Sequence, residues 1–143
     1  MKEKRYIHKN FHGALSVCLE FLDKNFGKKE VEEYLKQVAK SIYGWLIKKI
    51  KKGGLFEVEK YWNEIFKEEE GEFKIERKGN KEIILKIERC PAISFMKEKN
   101  YPIYYNFCIQ CKIINEFIGE KTGFNFDIKY DIDGKCEQKF IKK

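Results

Sequence analysis

The most informative stretch of this sequence is residues 104–140, which reads YYNFCIQCKIINEFIGEKTGFNFDIKYDIDGKCEQKF. Apolar residues recur at helical spacing until Gly123, and from Phe124 the period changes to two. An Asp-Gly dipeptide at 133–134 is a strong hairpin turn signal between alternating strands. The stretch therefore predicts a long helix over residues 103–121 followed by a β-hairpin.

The length of the turn in this hairpin determines which residues pair. A two-residue turn would set Ile128 opposite Lys139. A three-residue loop sets Ile128 opposite Phe140 and Ile132 opposite Cys136, so that apolar residues share one face. We predict the three-residue loop, which places Cys136 on the inward face of the sheet.

Three helical patterns precede this region, over about residues 11–26, 29–52 and 55–69. Glycines end each of them, as expected at helix C-termini. Residues 1–9 are polar and are predicted as an extended arm. The buried stripe predicted for the first helix contains Phe11, Leu15, Cys18, Leu22 and Phe26, with Cys18 as a core thiol.

The run Glu68-Glu69-Glu70 follows the third helix and is interpreted as a solvated turn. Acidic residues are unfavourable at a helix C-terminus, where the macrodipole is negative. A cation beside Glu69 or Glu70 is therefore the alternative interpretation.

A second hairpin is predicted around the Gly-Asn dipeptide at 79–80, where apolar and charged residues alternate. A three-residue loop pairs Ile75 with Leu85 and Phe73 with Ile87, which brings the apolar side chains to one face. We predict this register.

The order of elements predicts one α+β domain over residues 1–143. Three helices are followed by two hairpins that flank the long helix, with a short helix between them that Pro91 opens and Cys90 caps. The two hairpins are expected to form one four-stranded antiparallel sheet with helices packed on it. A chain of 143 residues can bury one core but not two sizeable ones.

Composition narrows the classes of partner. The net charge is +7 and charged residues make up 37% of the chain, which we interpret as a lysine-rich solvated surface. Nucleic-acid partners are not expected, because no aromatic strand motif of the required type is present. With no signal peptide and no apolar run of transmembrane length, we expect a cytoplasmic protein without a membrane partner, and a homodimer stays open.

The five cysteines are the main chemical feature, and an odd number without an export signal favours reduced thiols. Cys108 and Cys111 are three residues apart and are predicted to share one face of the long helix. Together with Cys136, and with Cys90 at the end of a neighbouring strand, they predict a site for Zn²⁺ or an iron–sulfur cluster. The alternative is four small residues that pack in the core.

Cys90 also has a separate interpretation as a nucleophile. A cysteine at a helix N-terminus faces the positive end of the dipole, which lowers its pKa and favours the thiolate. The alternative is a residue that only fills a corner at the strand end.

His8 and His12 are the only histidines and lie four residues apart. Imidazole serves as a metal ligand or as a general base near neutral pH. We predict His8 as a ligand alongside the cysteines and His12 as a proton carrier for Cys90 or Cys108. An exposed histidine pair is the alternative.

The C-terminal third resembles the end of the L-2-amino-thiazoline-4-carboxylate hydrolase-like family. The shared pattern is a cysteine-bearing helix, a glycine and an alternating strand, then Gly-x-Cys before an aromatic-ended strand, here Cys108-x-x-Cys111, Gly123-Phe124 and Gly134-Lys135-Cys136 through Phe140. The order of elements is also similar to vinyl-reductase-type small-molecule-binding domains. The first resemblance implies a hydrolase acting on a cyclic C–N bond, with a cysteine-lined pocket for a small molecule. The second implies a non-catalytic sensor whose cysteines hold a metal.

Overall fold

A computed structural model describes residues 8–131 and 133–143. It confirms an α+β fold that contains a four-stranded antiparallel sheet. Residues 1–7 of the predicted N-terminal arm lie outside the described residues. The elements in chain order are α1 Asn10–Phe26, α2 Lys28–Ile42, α3 Gly44–Gly53, α4 Leu55–Glu68, β1 Glu72–Lys78, β2 Glu82–Arg89, α5 Pro91–Glu98, α6 Ile109–Thr122, β3 Phe124–Tyr130 and β4 Cys136–Lys142.

The strands lie in the order β1-β2-β4-β3, so the two hairpins meet through β2 and β4. Alternate residues of these central strands are buried. Ile83 and Leu85 of β2 are fully buried, and Phe140 of β4 is only 2% exposed. The ring of Trp62 in α4 lies 5.6 Å from the ring of Phe140. The helices therefore cover one face of the sheet, and the core lies between them.

The register predicted for the first hairpin is confirmed. Ile75 is opposite Leu85 and Phe73 is opposite Ile87, with a three-residue loop over residues 79–81. The apolar side chains consequently share the face that the helices cover.

The register predicted for the last hairpin is wrong by two residues. Ile128 is opposite Gln138 rather than Phe140, and Cys136 is opposite Tyr130. Ile132, the partner predicted for Cys136, lies outside the described residues. Because side chains alternate with a period of two, this shift leaves Cys136 on the predicted face.

The longer loop has a local cause in the side chain of Asp131. Its Oδ1 accepts hydrogen bonds from the backbone N–H groups of Asp133, at 2.9 Å, and Lys135, at 3.2 Å. Aspartate side chains stabilise turns in this way. The chain therefore leaves the ladder after Tyr130 and closes a five-residue loop.

The helix predicted over residues 29–52 is two helices, α2 and α3. Helix α2 ends at Ile42, and the N–H of the next residue, Tyr43, donates to the carbonyl of Ala39; α3 begins at Gly44. Glycine is a poor helix former, which allows the break. The ring of Tyr43 packs edge-on against Tyr61, with 6.5 Å between centroids.

The buried face of α1 also differs from the prediction. Phe11 is 52% exposed and Phe26 is 63% exposed, while the helix buries His12, Gly13, Ser16 and Leu19. Cys18, predicted as a core thiol, is half-buried.

Contacts with residues 101–104 explain this orientation of α1. A Cβ atom at Gly13 would lie 2.8 Å from Cδ2 of Tyr101, so only glycine admits that ring. The hydroxyl of Ser16 donates to the carbonyl of Pro102 at 3.0 Å and accepts from the N–H of Tyr104 at 2.8 Å. Helix α1 thus holds this segment in place through its polar and small residues.

The long helix predicted over residues 103–121 begins later, at Ile109. Residues 105–108 form turns, and Cys108 is the N-cap residue rather than a member of the helix. The predicted start of this helix is therefore wrong: Cys111 lies inside it, whereas Cys108 directly precedes it. In the described part of the chain, no helix has the length and apolar character needed to cross a bilayer.

Candidate functional site

A buried pair of polar side chains joins the first helix to the end of the fourth. Nε2 of His12 lies 2.6 Å from Oε1 of Glu69, and the two side chains are only 9% and 8% exposed. Such a short contact fixes the imidazole ring and sets which nitrogen faces the carboxylate. His12 is therefore held in one orientation by its neighbour.

A lysine reinforces this region from the outer side. The ammonium of Lys9 donates to the backbone carbonyl of Glu69 at 2.9 Å and lies 3.9 Å from the carboxylate of Glu70. The acidic run after α4 was interpreted as a solvated turn, but Glu69 is buried and is 6% exposed. The ammonium of Lys9 is a cation beside Glu69 and Glu70, as in the alternative interpretation.

Cys90 lies at the N-terminus of α5, as predicted, with Pro91 in the first turn. Burial raises the pKa of its thiol, the N–H groups of Ile93 and Ala92 lower it, and the charge of Glu69 raises it further. The net shift is upward, so the prediction of a lowered pKa is wrong. The sulfur forms no regular capping hydrogen bond, and burial outweighs the helix terminus.

Glycines bring other segments close to Cys90. A Cβ atom at Gly71 would lie 3.1 Å from Cδ of Pro91, and one at Gly134 would lie 3.1 Å from Cβ of Cys90. The turn after α4, which carries Glu69, and the loop between β3 and β4 therefore both pack near the start of α5. Glu69 contacts His12 directly, and its charge acts on the thiol of Cys90.

The thiols of four cysteines act on one another electrostatically. Burial, and then the charges of Cys90 and Cys136, raise the pKa of Cys108 to about 12. Burial and the charges of Cys108, Cys90 and Cys136 raise the pKa of Cys111 well above its usual range. Burial, partly offset by a hydrogen bond from Gln138, raises the pKa of Cys136 to about 11.

These thiols do not form a metal-binding arrangement in the structure. Within residues 8–131 and 133–143, no group of three or more His, Cys, Asp or Glu side chains has a geometry that could hold a metal ion. His8 is exposed and precedes α1, whereas His12 is buried inside its first turn. The assignment of His8, Cys108, Cys111 and Cys136 as ligands of Zn²⁺ or a cluster therefore stays a prediction.

Two half-buried phenols, those of Tyr43 and Tyr61, interact electrostatically with Glu69 and with one of the thiols. Burial is the first cause that raises the pKa of both Tyr43 and Tyr61. The two hydroxyls interact with each other, and the charges of Glu69 and Cys111 act on both. The charges of Glu69 and Cys111 are therefore both felt at these two phenols.

Sequence reasoning missed Glu69, Tyr43 and Tyr61 as members of this site. The available signal for Glu69 was its position at a helix C-terminus, where an acidic side chain needs a compensating partner. The tyrosines gave no separate signal, because their spacing matches that of apolar core residues. Only the packing of α1, α3 and α4 brings them together.

A cavity of about 110 Å³ opens near the N-terminus of α6. Of the cysteines, Cys108 contributes to its wall. The other lining residues are mostly aromatic: Tyr104, Tyr105, Phe107 and Tyr130, with Asp131, Ile93 and Ile103.

Comparison with known proteins adds no family assignment to this geometry: no protein-family model matches the chain, and no curated protein matches it either.

Proposed function

We propose that this protein is a small cytoplasmic hydrolase of the thiazoline-carboxylate-hydrolase type, which opens a cyclic C–N bond in a small molecule. Cys90 is the nucleophile and His12 is the proton carrier. The observation that carries the proposal is the buried His12–Glu69 contact at 2.6 Å, since Glu69 lies two residues before Gly71, which packs on Pro91 beside Cys90. The resemblance of the C-terminal third to that hydrolase family supports the choice of reaction.

The roles follow from the chemistry of the three side chains. A thiol whose pKa is raised by burial is a weak nucleophile until a base removes its proton. Imidazole supplies such a base at neutral pH, and a carboxylate on its other side orients it and stabilises the imidazolium that forms. Glu69 is therefore a positioning residue for His12.

The proposed reaction proceeds through a covalent intermediate. His12 takes the proton of Cys90, directly or through one water, and the sulfur adds to the unsaturated ring carbon. The ring C–N bond then breaks, and its nitrogen receives the proton from His12. His12 then deprotonates a water, which adds to the same carbon. The bond between that carbon and the sulfur of Cys90 breaks, and Cys90 recovers a proton.

Activity on the substrate that the resemblance implies tests the proposal. Purified protein is incubated with L-2-amino-thiazoline-4-carboxylate, and ring opening is followed by chromatography. We expect turnover by the wild type and by Cys18→Ser, a thiol control outside the site, and at least a hundredfold loss in Cys90→Ser and His12→Gln. Equal rates in Cys90→Ser and the wild type would exclude Cys90 as the nucleophile.

Thiol reactivity provides a second test that needs no substrate. Among the four cysteines of the C-terminal half, Cys90 alone has backbone N–H groups that lower its pKa. With limiting iodoacetamide and peptide mass spectrometry, we expect Cys90 to be modified before Cys108, Cys111 and Cys136. Equal rates for the four would remove its special status.

A second candidate is a non-catalytic module that binds Zn²⁺ or an iron–sulfur cluster through Cys108, Cys111 and Cys136, with His8. The observation that favours it is the mutual effect of the thiols on their pKa values. A bound metal stabilises thiolates and would relieve the cost of burying them together. Metal analysis and an absorption spectrum of anaerobically purified protein test it, and metal-free protein with five freely titratable thiols would exclude it.

A further inference from the structure

We propose that the cavity beside the N-terminus of α6 binds a small organic cation, with an alkylammonium group as its preferred ligand. We call this cavity the tyrosine pocket; its recognition surface is formed by Tyr104, Tyr105, Phe107, Tyr130 and Asp131. Aromatic faces carry negative electrostatic potential and attract ammonium groups, more strongly when several rings converge. The proposal does not depend on hydrolysis at Cys90.

The hydroxyl groups of two pocket tyrosines are anchored, which fixes their rings before any ligand arrives. The hydroxyl of Tyr104 donates to Oδ2 of Asp23 at 2.7 Å, and that of Tyr130 donates to Oδ1 of Asn106 at 2.8 Å. The ring of Tyr105 meets that of Tyr104 edge-on, with 4.9 Å between centroids. A preorganised pocket loses less conformational entropy on binding.

The negative charge of Asp131 in the cavity wall favours a cationic ligand. Asp131 places a carboxylate in the wall, and only Oδ1 takes part in the two hydrogen bonds that hold the turn. Oδ2 is outside that pair of contacts and shares the negative charge of the carboxylate. Its charge also contributes, after burial and the other thiols, to the raised pKa of Cys108, which lines the same cavity. An anionic ligand would be repelled by the same carboxylate.

The protein already places a cation on one of these rings. The ammonium of Lys28 lies 5.9 Å from the centroid of Tyr105, within the range of cation–π attraction. Lys28 does not line the cavity, so it contacts this ring from outside the pocket.

The volume limits the size of the ligand. A cavity of 150 Å³ accommodates benzene, with its six non-hydrogen atoms, so by proportion 110 Å³ admits roughly four to five. Tetramethylammonium has five, and it carries the charge that the rings and Asp131 favour. Tyr105 is 67% exposed, so its side of the cavity is open to a longer substituent on the nitrogen.

Titration of the full chain with tetramethylammonium chloride, followed by NMR of the backbone amides, tests the proposal. We expect saturable shifts at residues 104–108 and 130–131, with a Kd in the millimolar range. The uncharged isostere tert-butanol and equimolar sodium chloride serve as controls. Shifts that do not saturate, or that tert-butanol reproduces at the same concentrations, would overturn the proposal.

Three variants separate the contributions of the Tyr105 ring, the Tyr105 hydroxyl and the Asp131 charge to ligand binding. Tyr105→Leu removes an exposed ring without disturbing the core and should weaken binding about tenfold, whereas Tyr105→Phe keeps the ring and should bind as the wild type does. Asp131→Asn keeps an Oδ1 acceptor for the turn but removes the charge, and should weaken binding about fivefold. Equal affinity in all three would refute the pocket.

The variant Cys90→Ser distinguishes this inference from the proposed hydrolase activity. We expect it to lose ring opening while it retains tetramethylammonium binding. Loss of saturable binding in a folded Cys90→Ser protein would contradict the independence of the pocket from the thiol.

Discussion

Glu69 and His12 are 57 residues apart in sequence, yet their side chains meet at 2.6 Å inside the protein. The contact ties the first turn of α1 to the residue that follows α4. Because both side chains are almost fully covered, neither has water as a substitute partner. This pair is therefore expected to matter for stability as well as for chemistry.

Replacing Glu69 with Ala is expected to lower the free energy of unfolding by about 3 kcal/mol, because it leaves His12 buried without its partner. Urea denaturation measures the change. The matched control is Glu70→Ala, since the Glu70 side chain is 68% exposed and contacts Lys9 at 3.9 Å. That variant should lose at most about 1 kcal/mol. Equal losses in the two variants would show that burial of the pair is unimportant.

Ser16→Ala should destabilise the protein by about 2 kcal/mol. The substitution leaves the carbonyl of Pro102 and the N–H of Tyr104 without their partner in a covered site. Ser41→Ala is the control, because the hydroxyl of Ser41 accepts only an exposed bond from Gln37. Denaturation midpoints of the two variants provide the comparison. A midpoint for Ser16→Ala within error of that for Ser41→Ala would contradict the anchoring role.

Stability is expected to fall as the pH rises above 9. In the folded protein, the pKa of Cys136 is raised to about 11 and that of Cys108 to about 12, against an ordinary value of 9.0. Between pH 9 and 11, the unfolded chain therefore loses thiol protons that the folded chain keeps. Each thiol then lowers the free energy of unfolding by up to about 1.4 kcal/mol per pH unit.

Urea denaturation at pH 8 and pH 10 measures this dependence. The double variant Cys108→Ser/Cys136→Ser should show a flatter slope than the wild type, because serine does not ionise in this range. Ser41→Ala, which removes no ionisable group, is the control and should keep the wild-type slope. A slope that is unchanged in the double variant would assign the alkaline instability to other groups.

Gly134→Ala should cost more than Gly79→Ala, although both glycines have positive φ angles, of 87° and 53°. At Gly79 an added Cβ meets nothing within 4 Å, so the cost is the backbone strain of about 1 kcal/mol. At Gly134 it would lie 2.9 Å from Cβ of Ile93, which adds about 1–3 kcal/mol of overpacking. Thermal denaturation of the pair measures the difference, and equal midpoints would contradict the close packing of the loop on α5.

The local parts of the fold were predictable from sequence. The first hairpin follows from alternation around a Gly-Asn dipeptide, where only one register brings Phe73, Ile75, Leu85 and Ile87 to one face. The last hairpin shows the same alternation, but the side chain of Asp131 closes the turn two residues earlier. Hydrogen bonds from a side chain to the nearby backbone compete with the hydrogen bonds between strands, and the spacing of residues alone does not reveal which set forms.

The orientation of α1 depends on partners distant in sequence. Its pattern contained an apolar stripe with Phe11 and Phe26, yet Ser16 and Gly13 face the core because residues 101–104 pack against them. A long-range contact with His12 also buries Glu69, whereas the sequence alone suggested a solvated acidic turn. The candidate residues Cys90 and His12 were identified by type, whereas their carboxylate neighbour required the tertiary structure.

The strand order β1-β2-β4-β3 leaves β1 and β3 at the two margins of the sheet. Both margins carry charged side chains, such as Lys74 in β1 and Asp127 in β3. Charged residues on such margins discourage the addition of a strand from another molecule. The sheet is therefore protected against edge-to-edge aggregation, so this chain should tolerate concentrated solution better than its fraction of aromatic residues suggests.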